Sequence, residues 1–154
     1  MKLRPFSWEE FREREEEFVQ IYFEAYQGLE RYAYRSPKDV RRYLRWLHRV
    51  DPQGLIGTER GEEVIGFVFF CRHWWDKRYG EVGEIHELVV LPHCQRQGVG
   101  TALLGRALEV MREDHRVFGL WVGEENEVAK GFYLKRGFSV QGQMGKWIRM
   151  IKRE

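Results

Sequence analysis

The chain is poor in cysteine, has no long apolar run and carries no excess of one charge, and each absence excludes a class of protein. Cys71 and Cys94 are the only cysteines among 154 residues, which is too few for the disulfide framework of a small secreted domain. No apolar run reaches the roughly 18 residues that a membrane-spanning helix needs. The first residues lack the apolar stretch of a signal peptide, so we expect a cytoplasmic protein with no membrane partner.

The charges nearly balance, since 26 Lys and Arg face 24 Asp and Glu, for a formal net charge of +2. Domains that bind nucleic acid are typically much more basic. A basic cluster on the second predicted helix keeps a nucleic-acid-binding module as one hypothesis; its members are Arg41, Arg42, Arg45, His48 and Arg49. The near-neutral total favours a protein without a nucleic-acid partner.

Length and periodicity predict a single domain covering residues 1–154. Hydrophobic residues make up 43% of the chain, and no linker or repeat divides it. Ser7 and Ser36 are interpreted as the N-caps of two helices, and helical spacing returns in 98–113 and 126–136. Strand patterns occupy 55–58, 64–74, 84–91, 117–122, 138–144 and 147–152. This order predicts a mixed α/β domain with one central sheet.

The most informative segment follows the third predicted strand, which stops at Pro92. Backbone amides at a helix start are unpaired, and with the helix dipole they form an anion site. Gly98 and Gly100 leave room for a phosphate beside the backbone, and Arg96 adds a positive charge. We interpret Gln95–Ala102 as a pyrophosphate-binding loop and helix start.

Two common phosphate-binding loops do not fit this segment. A Walker loop needs Gly-Lys-Ser/Thr after four spacer residues, and the chain contains none. The dinucleotide fingerprint needs a third glycine at the position where Leu103 stands. The segment is therefore neither a nucleoside-triphosphate loop nor a dinucleotide loop.

The run Gln95-Arg96-Gln97-Gly98-Val99-Gly100 resembles the Gln/Arg-x-x-Gly-x-Gly/Ala signature of the GNAT N-acetyltransferase superfamily. The preceding 88–92 is similar to that family's central strand, and 132–138 is similar to its Phe-Tyr-x-x-x-Gly-Phe segment. The resemblance implies a GNAT-like α/β fold. In that fold a mixed, mostly antiparallel sheet of about six or seven strands is flanked by about four helices and splays in a V between its central strands.

The resemblance also implies acetyl-CoA as co-substrate and assigns the residues that hold it. The exposed backbone of Leu88, Val89 and Val90 would pair with the pantetheine arm as an added strand does. Asn126 would hydrogen-bond the arm and also cap a helix. Many asparagines at helix starts only cap the helix. The pyrophosphate would lie on the loop and first helical turn, formed by Gln95, Arg96, Gln97, Gly98, Val99, Gly100 and Thr101.

The function that the resemblance implies is transfer of an acetyl group to a primary amine by direct attack in a ternary complex. Tyr133 matches the family's general acid towards the leaving thiolate, and it also counts as a cofactor contact. Glu84 is the first candidate for the base, because some members carry a glutamate at the start of this strand. Strand alternation puts Glu84 and His86 on one face and Glu87 on the other. His86, Glu87 or water remain alternatives.

The acceptor is not specified by the sequence beyond a small-molecule or peptide amine. Candidates for its pocket are Tyr32, Tyr34, Trp74, Trp75 and His86. A non-catalytic acyl-CoA-binding regulatory module is the alternative function, and the predicted terminal strand pair is compatible with a homodimer.

Four residues with metal-ligating side chains do not predict a zinc site. These residues are Cys71, His73, His93 and Cys94, and their pairs Cys-x-His and His-Cys lack the usual spacing of structural zinc ligands.

Overall fold

The structure, a computed structural model, describes residues 1–154 and contains one sheet of seven strands. They are β1 (Lys2–Pro5), β2 (Leu55–Arg60), β3 (Glu63–Asp76), β4 (Gly80–Val90), β5 (Val117–Gly123), β6 (Ser139–Met144) and β7 (Trp147–Arg153). Their order across the sheet is β1-β2-β3-β4-β5-β7-β6. Only β4 and β5 pair in parallel, so the predicted mixed, mostly antiparallel sheet is confirmed.

Five helices accompany the sheet: α1 (Trp8–Glu13), α2 (Glu15–Ala25), α3 (Pro37–Val50), α4 (Val99–Met111) and α5 (Glu127–Leu134). Ser7 and Ser36 are N-caps as predicted, and Ser7 forms a capping box with Glu10. The first predicted helix is divided in two. At Arg14 the backbone leaves helical geometry (φ −113°, ψ 16°), and the Arg14 guanidinium reaches the Glu59 carboxylate at 2.6 Å.

Strand β1 was not predicted. It lies at the sheet edge, where Lys2 to Pro5 pair antiparallel with Glu59 to Ile56, and the Thr58 hydroxyl donates to the Lys2 carbonyl at 2.8 Å. Four residues are too few to display a period of two, and the partner strand is distant in sequence. The strand is therefore defined by tertiary pairing, which sequence periodicity does not reveal.

The helices cover the two faces of the sheet. Phe67 of β3 packs against Phe18 of α2 with ring centroids 5.0 Å apart. At the adjacent Gly66, an added Cβ would lie 3.2 Å from side-chain atoms of Leu103 and Val99 in α4. Because adjacent strand residues point to opposite faces, α2 and α4 lie on opposite sides of the sheet. None of the helices combines the length and the apolar composition that a membrane crossing requires.

The central strands β4 and β5 separate along their length. Their parallel register covers only Gly83 to Ile85 opposite Phe118 to Leu120, although β4 continues to Val90 and β5 to Gly123. The edge of β4 beyond Ile85 is thus unpaired on the β5 side. This is the V-shaped splay that the family resemblance implied.

A bulge in β4 alters the predicted alternation. Phe69 pairs with Glu87 but the next residue, Phe70, pairs with Ile85, so His86 is the extra residue. As a result His86 and Glu87 both face α3: the His86 ring lies 6.2 Å from Trp46, and Glu87 bonds Tyr43. The prediction that Glu87 points to the opposite face from His86 was wrong, because regular alternation does not hold across a bulge.

Candidate active site

The loop that precedes α4 presents a row of free backbone donors. The N–H groups of Arg96 through Thr101 donate to no acceptor in the chain, whereas those of Gln95 and Ala102 on either side bond carbonyls at 3.3 and 3.0 Å. Arg96 (φ 63°) and Gly98 (φ 84°) both adopt left-handed backbone conformations, which turn successive amides towards one side. The predicted loop residues therefore form a concave cluster of donors at the positive end of α4.

Side chains hold this loop in place from outside. The Gln95 amide donates to the Val90 carbonyl at 3.1 Å, and Arg60 donates to the Gln97 side-chain oxygen at 2.7 Å. These bonds fix the loop to the end of β4 and to β2. Gln95 and Gln97 thus act on loop geometry, while the free donors belong to the backbone.

Arg136 is a cation at the loop that the sequence analysis missed. Its guanidinium donates to the Thr101 hydroxyl at 2.6 Å, lies 3.8 Å from the Phe132 ring centroid, and has a buried Nε with no hydrogen-bond partner. It belongs to the 132–138 segment, whose resemblance drew attention to Tyr133 instead. Arg136 places a second positive charge beside the start of α4.

Two adjoining cavities lie in the splay between β4 and β5. The narrow one, of about 60 Å³, reaches Asn126, Ala129 and Tyr133 of α5. The wide one, of about 370 Å³, reaches Tyr43 and Glu84. Both are lined by Tyr26, Ile85, His86, Glu87, Trp121 and Trp147. The bulged part of β4 therefore forms the boundary between the two spaces.

Asn126 and Tyr133 both line the narrow cavity. The Asn126 side-chain oxygen accepts the Ala129 N–H at 3.2 Å, which makes it a helix cap and leaves its amide nitrogen without a partner in the chain. Tyr133 is 8% exposed, and its hydroxyl forms no hydrogen bond. Burial, together with the nearby Glu87 charge, raises the pKa of Tyr133 above its ordinary value, so the phenol keeps its proton at neutral pH.

Glu84, the first candidate for the base, lies in a buried ion pair. It is 1% exposed, and Arg149 of β7 donates to its two oxygens at 2.6 and 3.0 Å. Arg149 also bonds Asp76 at 2.9 Å. Burial raises the pKa of Glu84, against the lowering effect of Arg149. The carboxylate reaches the wide cavity, but its oxygens are directed at a guanidinium.

Glu87 stands where the two cavities meet and is held by two phenols. Tyr26 and Tyr43 donate to its oxygens at 2.7 and 2.8 Å. Burial raises the pKa of Glu87 to about 7, against the lowering effect of those two hydrogen bonds. Half of such a carboxyl is ionised near neutral pH, which suits a group that accepts and returns a proton.

His86 lies between two tryptophans and is partly buried. Its ring lies 4.5 Å from Trp74, in an edge-on arrangement, and its Nε2 has no hydrogen-bond partner. Burial and the charge of Arg149 lower the pKa of His86 to about 4. The ring is neutral at pH 7 and is a weak proton acceptor.

The remaining predicted pocket residues are dispersed. Tyr32 lines the narrow cavity, and its hydroxyl accepts the Glu125 N–H at 2.9 Å. Trp74 packs against His86. Tyr34 is 48% exposed and packs against Tyr43. Trp75 is 74% exposed and stands beside Gly80 at the β3–β4 turn. Tyr34, Trp74 and Trp75 do not line either cavity.

The cavity walls are completed by aromatic and thioether side chains that sequence reasoning missed: Tyr26, Tyr43, Trp121, Met144 and Trp147. Tyr43 lies in α3 and Tyr26 directly follows α2, and aromatic residues in such positions usually pack in a core. Their positions in the sequence carry no sign that both hydroxyls meet at one carboxylate. The signal lies in the tertiary structure.

The comparisons with known proteins agree with this geometry. The model of the acetyltransferase (GNAT) family matches residues 8–138. The chain is 38% identical over 142 residues to an uncharacterized N-acetyltransferase of Methanocaldococcus jannaschii, covering 90% of this chain and 62% of that relative. The chain therefore spans less than two thirds of that protein.

Two solved structures have the same fold. A crystal structure of a Pyrococcus horikoshii protein has a TM-score of 0.91 and 32% identity, covering 99% of this chain and 98% of that one. The PaiA N-acetyltransferase of Thermoplasma acidophilum, solved in complex with coenzyme A, has a TM-score of 0.77 and 20% identity, with 99% and 98% covered.

Proposed function

The chain belongs to the GNAT family of acetyltransferases, and we propose that it transfers the acetyl group of acetyl-CoA to a primary amine by direct attack in a ternary complex. The observation that carries the proposal is the alignment of three features along β4: its unpaired edge, the free amides of Arg96 to Thr101 beyond its end, and Tyr133 beside it. Together they match an extended, diphosphate-bearing thioester.

The acetyl-CoA would lie along the splay between β4 and β5. The pyrophosphate lies on the free backbone amides of residues 96–101, where the amides and the positive end of the α4 dipole stabilise an anion. Arg136 lies beside this position. The pantetheine arm pairs with the open backbone of Leu88 to Val90, and the free amide nitrogen of Asn126 donates to it. The coenzyme A complex of the Thermoplasma relative supports this choice of donor class.

Tyr133 is proposed as the acid that protonates the leaving sulfur. Its raised pKa keeps the phenol protonated, and its unbonded hydroxyl is free to approach the thioester in the narrow cavity. A thiol titrates near 8.5 and a free phenol near 10, so donation to sulfur as the C–S bond breaks is uphill by itself and is completed by the return of a proton from Glu87 to the phenolate. Asn126 and Ala129 form the same wall and set the position of the arm.

Glu87, rather than Glu84, is proposed as the base. The neutral amine attacks the thioester carbon, forming the C–N bond, and its surplus proton passes to Glu87 while Tyr133 gives its own to sulfur. One proton transfer from Glu87 to Tyr133 then restores both groups. Glu84 is better suited to hold Arg149, since each of its oxygens already accepts from that guanidinium.

The acceptor would enter through the wide cavity. The Glu87 carboxyl and several aromatic rings line it. An ionised carboxylate attracts an ammonium group, and aromatic faces stabilise a cation by about 0.5–2 kcal/mol. We therefore propose an acceptor that is cationic in solution, either a small molecule or a peptide. A cytoplasmic location and a homodimer stay predictions from the sequence.

The decisive experiment combines binding with turnover. Calorimetry with acetyl-CoA should show one site per chain, and a thiol-release screen over amines should identify acceptors that are turned over. Absence of binding would remove the donor assignment, and binding without turnover of any amine would favour the regulatory module. The same screen with longer acyl-CoA donors tests whether the narrow cavity limits the acyl group to acetyl.

A further inference from the structure

Two histidines and a glutamate converge at the end of the sheet opposite the phosphate loop. His73 lies in β3, Glu81 in β4 and His115 in the turn after α4. Their potential ligand atoms all lie within 4.8 Å of one another. From Glu81 to the end of β4 at Val90 is about 30 Å of extended strand. None of the three residues lines either cavity, so the proposed acyl transfer does not explain the group.

A second bulge brings His73 into the group. Cys71 pairs with Glu84 and Trp74 with Val82, so Arg72 and His73 together face the single residue Gly83. Bulges redirect side chains and often occur where a strand serves a binding site. Here the His73 Nδ1 comes to 2.8 Å from the Glu81 carboxylate.

His115 supplies an independent indication of a ligand. Its side chain is only 11% exposed, and its buried Nε2 has no hydrogen-bond partner. The nearest acidic oxygen, on Glu81, lies at 3.5 Å, longer than the usual 2.9–3.0 Å of an N–H···O bond. Ligands at about 2.0–2.1 Å from a tetrahedral zinc ion are separated by roughly 3.3–3.4 Å. The 3.5 Å spacing fits two ligands of one ion, and the His73–Glu81 contact at 2.8 Å is a hydrogen bond that a bound ion would replace.

We propose that His73, Glu81 and His115 form a binding site for a divalent transition-metal ion of the zinc class. Two neutral imidazoles and one carboxylate are donors that such ions prefer over Mg²⁺ or Ca²⁺. Three protein ligands leave a fourth position for water. The ion would join β3, β4 and the end of α4, and binding to the folded chain alone would raise its stability.

Calorimetry on the untagged, metal-free chain tests the proposal, with ZnCl₂ as titrant and MgCl₂ in a parallel titration. One Zn²⁺ per chain, a rise in Tm with Zn²⁺ and no comparable effect of Mg²⁺ are expected. His115→Ala and Glu81→Gln should each weaken Zn²⁺ binding at least tenfold, in keeping with the loss of one ligand. Glu81 is 56% exposed, so its variant should fold normally.

His93→Ala is the matched control, because His93 is an exposed histidine outside the group, and its Zn²⁺ titration should equal that of the unmodified chain. Circular dichroism establishes that each variant is folded before titration. Absence of one-to-one Zn²⁺ binding would overturn the proposal. So would binding that is unchanged in both His115→Ala and Glu81→Gln, since the ion would then lie elsewhere.

Discussion

The guanidinium of Arg149 donates hydrogen bonds to both carboxylate oxygens of Glu84, at 2.6 and 3.0 Å. The two side chains meet in a space that only glycine leaves open at the neighbouring position 119. A Cβ on Gly119 would lie 2.3 Å from an Arg149 nitrogen and 2.9 Å from a Glu84 oxygen. The pair links β7 to β4 across β5, which lies between them, parallel to β4 and antiparallel to β7. It thus lies where the sheet begins to splay, and its Glu84 lines the wide cavity.

Replacing Arg149 should destabilise the fold strongly. Arg149→Met leaves Glu84 buried without its partner, and breaking a buried pair in this way typically costs about 3–5 kcal/mol. Urea denaturation measures the loss. Arg112→Met is the control, because the Arg112–Glu154 pair is similar in length at 2.6 Å but is partly exposed; exposed pairs contribute at most about 1 kcal/mol. Equal losses in the two variants would contradict the structural role of Arg149.

Glu87→Gln should remove a pH dependence from turnover. In the unmodified chain, kcat should rise as pH increases through about 7, the pKa that burial gives Glu87, because the ionised form is the base. The variant should lose about 100-fold or more in kcat, the usual contribution of a positioned base. Both are assayed with the same amine, so that the amine's own titration cancels.

Glu84→Gln provides the comparison, since its carboxylate is bound to Arg149. If Glu84→Gln abolished the rise of kcat near pH 7 while Glu87→Gln retained it, the roles of the two glutamates would be reversed.

The same carboxyl should make stability depend on pH. The pKa of Glu87 is raised from 4.5 to about 7 in the folded chain, so the folded state binds this proton more tightly than the unfolded state. Its contribution is full below pH 4.5 and is lost as pH rises through 7. Relative to the unmodified chain, Glu87→Gln should therefore gain roughly 2–4 kcal/mol in unfolding free energy between pH 4.5 and 8.

Denaturant unfolding at several pH values checks this, with Glu63→Gln, an exposed residue at the start of β3, as the control. A constant difference between Glu87→Gln and the unmodified chain across that range would show that Glu87 titrates normally.

Tyr133→Phe should slow catalysis without weakening donor binding. The substitution removes one hydroxyl that bonds nothing in the chain, so packing and acetyl-CoA affinity are retained, while kcat falls by about 100-fold or more. Calorimetry and thiol release give the two quantities separately. Tyr79→Phe is the matched control: its hydroxyl donates to Gln141 at 3.0 Å, away from both cavities. Unchanged turnover in Tyr133→Phe would exclude the acid role.

Much of the architecture was predictable because it rests on local patterns. Ser7 and Ser36 marked two helix starts, and Gly98 marked a third, since caps and turns depend on a few adjacent residues. The mixed, mostly antiparallel sheet and the splay came only through the family resemblance. β1 escaped prediction, because four residues show no period and its pairing partner is distant.

The site was less predictable, because it depends on bulges and on contacts between distant segments. The bulge at His86 turned Glu87 towards Tyr26 and Tyr43, which a regular strand would not do. The same applies to His73 and His115, which meet only because β3 bulges beside the end of α4. A single sequence identifies residues with the right chemistry, and tertiary structure decides which of them meet.

Gly98→Ala should distinguish an effect on acetyl-CoA binding from the ordinary cost of backbone strain. Gly98 has φ +84° with nothing within 4 Å of an added Cβ, and Gly61, in the β2–β3 turn, has φ +64° with equally open surroundings. Alanine at either position should cost about 1–2 kcal/mol of stability through its left-handed backbone. Only at Gly98 would the added methyl lie beside the row of free amides, in the space proposed for the pyrophosphate.

Losing one charge-assisted hydrogen bond is worth about 1.5–3 kcal/mol, so Gly98→Ala should weaken acetyl-CoA binding roughly tenfold or more. Gly61→Ala should keep the affinity of the unmodified chain. Calorimetry with acetyl-CoA distinguishes the two variants. Equal affinity in both variants would mean that the pyrophosphate does not approach the backbone at Gly98. The free backbone amides of residues 96–101 would then bind a different ligand.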